Sequence, residues 1–238
     1  MSSPTVGLIV PPRAGEVPQD APDVYPQVEF VAEGLGLQEM SVAGYDSVID
    51  AVRGAAERLS AQGSRAVVLM GTSLSFYRGK EFNDEIVQTM RDATGLPVTT
   101  MSAAIVEALR AVGVTRPAVA SAYTAEVHGK LLAFLREEGF QPAGGAHLSI
   151  SSIDEVHAVE GERVHALGIE AVQASQDFDG ILISCGGLRT AAAVTALELA
   201  YGVPVVSSPL AGLWSAVSLV APEEQGAHDS QLFRLVRT

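Results

Sequence analysis

The chemistry available to this chain starts from a single thiol and the glycines behind it. Cys185 is the one cysteine in 238 residues, and it stands where the strand-like run Gly180-Ile181-Leu182-Ile183-Ser184 breaks into Gly186-Gly187. A lone thiol forms neither an internal disulfide nor a multi-cysteine metal site, so at a strand's carboxyl end it points to acid/base or nucleophilic work. Free cysteine is also one of the most buried residue types, and a core role is the plain alternative. The two glycines weigh against that alternative, because they open the backbone to close approach by a ligand.

A nucleophilic cysteine needs a neighbouring base or cation to bring its pKa down from about 8.5. None adjoins Cys185 in sequence, and His157, in the loop Ser151 to His157, is the best placed of the five histidines to arrive from elsewhere. A thiol near its ordinary pKa stays protonated at neutral pH and suits the role of proton donor to a carbanion. The hydroxyls of Thr72, Ser73 and Tyr123, with backbone N–H groups at Ser73, Cys185 and Gly186, have the donor chemistry to surround a carboxylate that becomes an enediolate. Turn capping by Thr72 and Ser73 and a half-buried core position for Tyr123 are the competing assignments. No His, Cys, Asp or Glu cluster has metal-ligand spacing, and neither Gly-x-x-x-x-Gly-Lys-Ser/Thr nor Gly-x-Gly-x-x-Gly occurs. The residues therefore call for no metal and no cofactor.

These candidates sit at the ends of strands in an α/β pattern. Short β-branched runs alternate with longer segments of helical period, the signature of βα units around a parallel sheet. Strands are predicted over 6–10, 66–70, 98–99, 118–121, 180–184 and 203–207. One helix is predicted over Ser47 to Ala61, with Val48, Ile49, Val52, Ala55, Ala56 and Leu59 on one face and Gly63 as its terminus. Asn83 is read as the cap of a second helix, ending near Thr94-Gly95. Others follow over 102–112, 124–138, 161–174, 191–201 and 208–220, and the polar tail from Pro222 to Ser230 is expected to be loosely held. In open α/β sheets ligands bind outside the strands' carboxyl ends. Those ends hold Pro11-Pro12, Gly71-Thr72-Ser73, Thr99-Thr100, Ala122-Tyr123-Thr124, Cys185-Gly186-Gly187 and Ser207-Ser208, a neutral set. A weak internal similarity relates Val67–Ser73 to Gly180–Gly186, each an apolar strand ending in small polar residues.

Composition limits the partners. A content of 47% hydrophobic and 18% charged residues is that of a globular protein able to bury one large core or two lobes of about 120 residues each. The net charge of −13 opposes non-specific binding to nucleic acid or to an anionic membrane surface. No apolar run approaches the length of a membrane span, and Met1 to Thr5 lacks the basic start of an export leader, so the expected compartment is cytoplasmic.

At the residues named above the chain resembles the aspartate/glutamate racemase superfamily, and within it the arylmalonate decarboxylase family. The matching stretches are 7–12, Gly34-Leu35-Gly36-Leu37, Met70 to Gly79, Thr94 to Pro97, Ser184 to Leu188 and Pro204 to Ser208, within a similarity running from about Thr5 to Val220. The run Gly71 to Gly79 is the most specific. The resemblance implies two pseudo-symmetric, Rossmann-like α/β lobes with parallel sheets and the active site in the cleft between them. One lobe would hold 1–100 with 208–238 and the other 101–207. It implies a small-molecule dicarboxylate substrate, cofactor-free decarboxylation of aryl-substituted malonates, and a monomer.

Carried over residue by residue, the resemblance makes Cys185 the proton donor. Thr72, Ser73, Tyr123 and the amides near Cys185 and Gly186 become the hole for the retained carboxylate. Leu37, Met40, Tyr45, Leu74, Ile153 and Val156 would line an apolar pocket for the departing carboxylate, with Met40 and Val156 departing from the family's usual side chains. Pro11, Gly71 and Gly187 would make room for the aryl ring. Racemases and cis-trans isomerases of the superfamily use two facing cysteines. Here the first lobe offers Gly71 instead, which leaves protonation from one face.

Overall fold

A computed structural model describes residues 3–235. Met1 and Ser2, part of the opening segment read above for a leader, lie outside the described residues, as do residues 236–238 at the end of the expected first lobe. The chain builds two four-stranded parallel sheets of the same topology. The first half runs β1 (Thr5–Val10), α1 (Asp20–Val24), β2 (Glu29–Gly34), α2 (Val42–Val48), α3 (Ala51–Ala61), β3 (Ala66–Leu69), α4 (Thr72–Phe76), α5 (Lys80–Thr94), β4 (Val98–Thr100) and α6 (Met101–Ala111). The second runs β5 (Pro117–Ser121), α7 (Ala125–Glu137), β6 (Gly144–His147), α8 (Ile153–His157), α9 (Gly161–Gln173), β7 (Gly180–Ser184), α10 (Ala191–Tyr201), β8 (Val205–Ser207) and α11 (Ser208–Ser218). Sheet orders are β2-β1-β3-β4 and β6-β5-β7-β8. In each order the crossovers change direction between the central pair, β1/β3 and β5/β7. Such a switch point leaves a crevice at the strands' carboxyl ends.

The inner strands follow from their short, largely apolar and buried sequences, and the helices from their punctuation. Thr100 and Thr124 cap α6 and α7 by accepting the N–H groups of Ala103 and Val127, and Gly95 and Gly202 close α5 and α10 in the left-handed region. The two sheets are joined by α6 and α11, which pack along each other. α11 also lies against β3 and β4 of the first sheet and β7 and β8 of the second.

The structure corrects the sequence reading in several places. β2 and β6 were not anticipated: both are edge strands, and Glu-Phe-Val-Ala-Glu-Gly and Gly-Gly-Ala-His lack the apolar run of the buried strands. The helix expected over 47–61 is broken at Ile49-Asp50. The break lets α3 lie along β1 and β2 while α2 carries Tyr45 inward. Asn83 lies inside α5, which starts at Lys80 after Gly79, and its side-chain carbonyl accepts the Thr100 hydroxyl instead of capping. The stretch 151–157, read as a loop, contains α8. The tail is held. Gln27 donates to the Glu224 carboxylate at 2.9 Å, the N–H of Ala227 to the Val24 carbonyl at 2.6 Å, and Nε2 of His228 to the Ala191 carbonyl at 3.1 Å. No helix among the described residues is long and apolar enough to cross a membrane.

Candidate active site

The two switch points face each other. Pro11 and Gly71 follow β1 and β3, and Tyr123 and Cys185 follow β5 and β7. A side chain on Gly186 would place its Cβ 2.8 Å from the Met70 carbonyl and 3.0 Å from Sδ of Met101. The turn after Cys185 thus lies directly against the end of β3, which brings the pseudo-equivalent tips into contact.

Cys185 is 4% exposed. Burial in this low-dielectric setting pushes its thiol up to about 11, with the N–H of Gly187 and the hydroxyl of Tyr123 pulling weakly the other way. The group is an acid at any ordinary pH and a poor nucleophile. Two results are expected. Since only about one thiol in a thousand is ionised at pH 8, iodoacetamide should alkylate the native protein far more slowly than the unfolded one. An activity that needs the thiol's proton should be level through neutral pH and fall as pH rises through about 11. A fall centred near pH 8, with the circular dichroism unchanged, would contradict that environment.

The hydroxyls around the thiol are positioned from both halves. Tyr123 is fully buried and packs edge-on against Phe76 of α4, ring centroids 5.7 Å apart; its hydroxyl lies 3.3 Å from that of Ser184 and within reach of Thr72 and Cys185. Desolvation holds it protonated, its pKa well above the usual phenol value. Thr72 donates to Sδ of Met101 at 3.1 Å. The short α4 is pinned to α6 through Ser75 and Ser102, whose hydroxyls are 2.6 Å apart, with Ser102 also donating to the Thr72 carbonyl. Neither Thr72 nor Ser73 is a side-chain cap: Gly71 holds that position, and both belong to the first turn of α4. The first-turn N–H groups have no intrahelical acceptor.

The remaining candidates close over this cluster. The N–H of Leu37 donates to the Pro11 carbonyl at 2.8 Å, and that of Met40 to the Ser151 carbonyl across the cleft at 2.7 Å. An antiparallel bridge pairs Glu39 with Ser152 beside it. Leu37, Met40, Tyr45, Leu74 and Val156 are buried, and Ile153 is half-buried against the same core. Among the described residues no group of three or more His, Cys, Asp or Glu is placed to hold a metal ion.

A profile of arylmalonate decarboxylase matches residues 6–233. The chain belongs to the arylmalonate decarboxylase family. It is 50% identical over 218 residues to the arylmalonate decarboxylase of Bordetella bronchiseptica, a match spanning 92% of this chain and 91% of that one. A solved arylmalonate decarboxylase in its liganded form, carrying a glycine-to-cysteine and a cysteine-to-serine substitution, superposes with a TM-score of 0.95 at 46% identity, covering 98% and 99% of the two chains. The maleate isomerase Iso of Pseudomonas putida S16 shares the fold, with a TM-score of 0.91 at 17% identity over 99% and 100%. The family is one of carboxy-lyases.

Two residues of this family member are placed differently from their simplest reading. A Cβ on Gly187 would lie 2.8 Å from Val156 and 3.1 Å from the His157 ring, so the missing side chain admits α8 onto the turn after Cys185. His157 is an exposed ring against Gly187 and makes no hydrogen bond to the thiol. The sequence reading omits Ser184, Ser75, Ser102 and Phe76, which position Tyr123 and Thr72. Small hydroxyls inside apolar elements were the only signal for the three serines, and it does not separate them from ordinary turn residues.

Proposed function

We propose that this protein decarboxylates disubstituted arylmalonates enantioselectively, without a cofactor, to one enantiomer of a 2-arylpropionate-type acid. The retained carboxylate sits among the donors of Thr72, Ser73, Tyr123 and the backbone at Cys185 and Gly186. The departing one lies against Leu37, Met40, Tyr45, Leu74, Ile153 and Val156, with the aryl group toward Pro11 and Gly71. The bond from the α-carbon to the departing carboxylate breaks, carbon dioxide leaves, and its electron pair enters an enediolate whose charge the hole stabilises. Cys185 then delivers its proton to the α-carbon, and water re-protonates the thiolate.

The observation that carries this reading is a buried, protonated thiol at the end of β7 facing a thiol-free tip at Gly71. A planar enediolate between them has one proton source, on one face. The spacing in the doubly substituted relative supports the assignment: its exchanged glycine and cysteine are as far apart in sequence as Gly71 and Cys185 are here. The missing second cysteine counts against a racemase or isomerase.

The direct test is carbon dioxide release from phenylmalonate by purified protein in buffer without metal or nucleotide. Absence of release with the protein folded would leave a carboxylate-binding protein. Within an active enzyme, Ser73→Ala and Tyr123→Phe should each lower kcat by about 10- to 1,000-fold, the loss expected for one transition-state donor. A change confined to KM would mean that these hydroxyls hold only the ground state.

A further inference from the structure

Among the described residues three buried side-chain hydroxyls find no hydrogen-bond partner, those of Tyr45, Ser64 and Ser230, and only Tyr45 belongs to the site. Its side chain is wholly inaccessible. Burying a hydroxyl unpaired is unfavourable, a cost that phenylalanine would avoid in the same volume. The surrounding structure nevertheless fixes this ring in place. Ser41 caps α2 by accepting the N–H of Gly44, whose α-carbon lies so close to the Glu39 carbonyl that only glycine fits. Tyr77 packs on the Tyr45 ring at 5.0 Å, and its own hydroxyl is taken by Asp46 at 2.6 Å. The Tyr45 hydroxyl lies near enough to that of Ser73 to be influenced by it but does not meet hydrogen-bond geometry with it or with any other group, and it feels the charge that Cys185 would carry.

A buried donor held rigidly at the reacting centre and unsatisfied without a ligand is complementary to an acceptor that arrives with one. We propose that Tyr45 selects dicarboxylates: its hydroxyl donates to an oxygen of the carboxylate that will leave, inside the pocket it forms with Leu37, Met40, Leu74 and Val156. This rests on the decarboxylase reading above, and it changes the character of the pocket from purely apolar to one with a single directed donor. A carboxylate is a strong acceptor and carbon dioxide a weak one, so the hydrogen bond exists before cleavage and fades as the carbon–carbon bond breaks. Tyr45 is thus a specificity residue that binds the ground state better than the transition state. It also distinguishes substrate from product, since the monoacid has no group to accept from it.

The signature is opposite to that of the hole donors. Tyr45→Phe should raise KM and kcat together, each by about 10- to 100-fold, leaving kcat/KM within a few-fold of the parent. A fall in kcat at constant KM would make Tyr45 a transition-state donor, and an unmoved KM would remove it from substrate contact; either overturns the proposal. A binding measurement separates this from folding and from turnover. In the Cys185→Ser background, Tyr45→Phe should weaken phenylmalonate by at least about 10-fold in calorimetry and leave phenylacetate unchanged. Equal weakening of both ligands, or of neither, refutes dicarboxylate selection. If the parent protein releases no carbon dioxide, the decarboxylase reading fails, while the calorimetric comparison still decides the role of Tyr45.

Discussion

Replacing Cys185 with serine is expected to lower kcat by about 100- to 10,000-fold, the contribution of a positioned proton donor, while the protein stays folded. Serine occupies nearly the same volume, so the turn from Cys185 to Leu188, closed by the N–H of Leu188 donating to the Cys185 carbonyl at 3.3 Å, has no reason to change. The hydroxyl is several orders of magnitude less acidic than the thiol. The site also has no ready substitute. The hydroxyls of Tyr123 and Thr72 are engaged with Ser184 and Met101, and burial raises the pKa of Tyr123 and of the unpartnered Tyr45 above the phenol range, so neither ring is a ready acid. Carbon dioxide release measured beside a thermal melt tests this, and an unaltered rate in a folded variant would remove Cys185 as the donor.

Moving the thiol across the cleft is expected to reverse the product's handedness. Gly71 and Cys185 end equivalent third strands in two sheets of identical order, on opposite sides of the proposed enediolate. Gly71 has φ −123° and ψ 90°, a conformation open to any residue. The difficulty is space, since a Cβ there meets Leu74 at 3.2 Å and Pro11 at 3.3 Å, so its neighbours must yield by a few tenths of an ångström. Gly71→Cys combined with Cys185→Ser should therefore give the opposite enantiomer at reduced rate. Gly71→Cys alone should show some racemase activity, a proton leaving by one face and returning by the other. Chiral chromatography of the product from an α-methyl-α-arylmalonate decides the matter. An active double variant yielding the parent enantiomer would mean that the two tips do not address opposite faces.

Those predictions use features visible in the sequence, and others were hidden for physical reasons. The buried inner strands were legible because a strand covered on both sides is a short, nearly continuous apolar run, and the helix ends at Gly63, Gly95, Gly113 and Gly139 because each glycine adopts positive φ. β2 and β6 escaped because, unlike the buried edge strands β4 and β8, they are only partly covered and carry charged residues or glycines in place of an apolar run. The short α4 and α8 span five residues each, too few to show a helical period. The contrast between Cys185 and Gly71 needed only residue identity and the resemblance. The unpartnered hydroxyl of Tyr45 could not be foreseen, since a tyrosine in an apolar stretch reads as core until the absence of neighbours around one oxygen is seen. The tail misled because its polar side chains are used inward, on Gln27 and Ala191.

The reach of α11 bears on how the polypeptide matures. This helix, the last long one among the described residues, lies against α6, β3, β4, β7 and β8, and every residue from Ser208 to Val217 is buried. While the ribosome is still making residues before it, both sheets stand with a bare apolar strip where it will dock. Neither half can reach its final packing before this helix has been made and docked, so the two halves do not complete folding one after the other. A chain truncated after residue 207 should be protease-sensitive and aggregation-prone, and a split pair cut between β8 and α11 should recover structure only when the short piece is supplied.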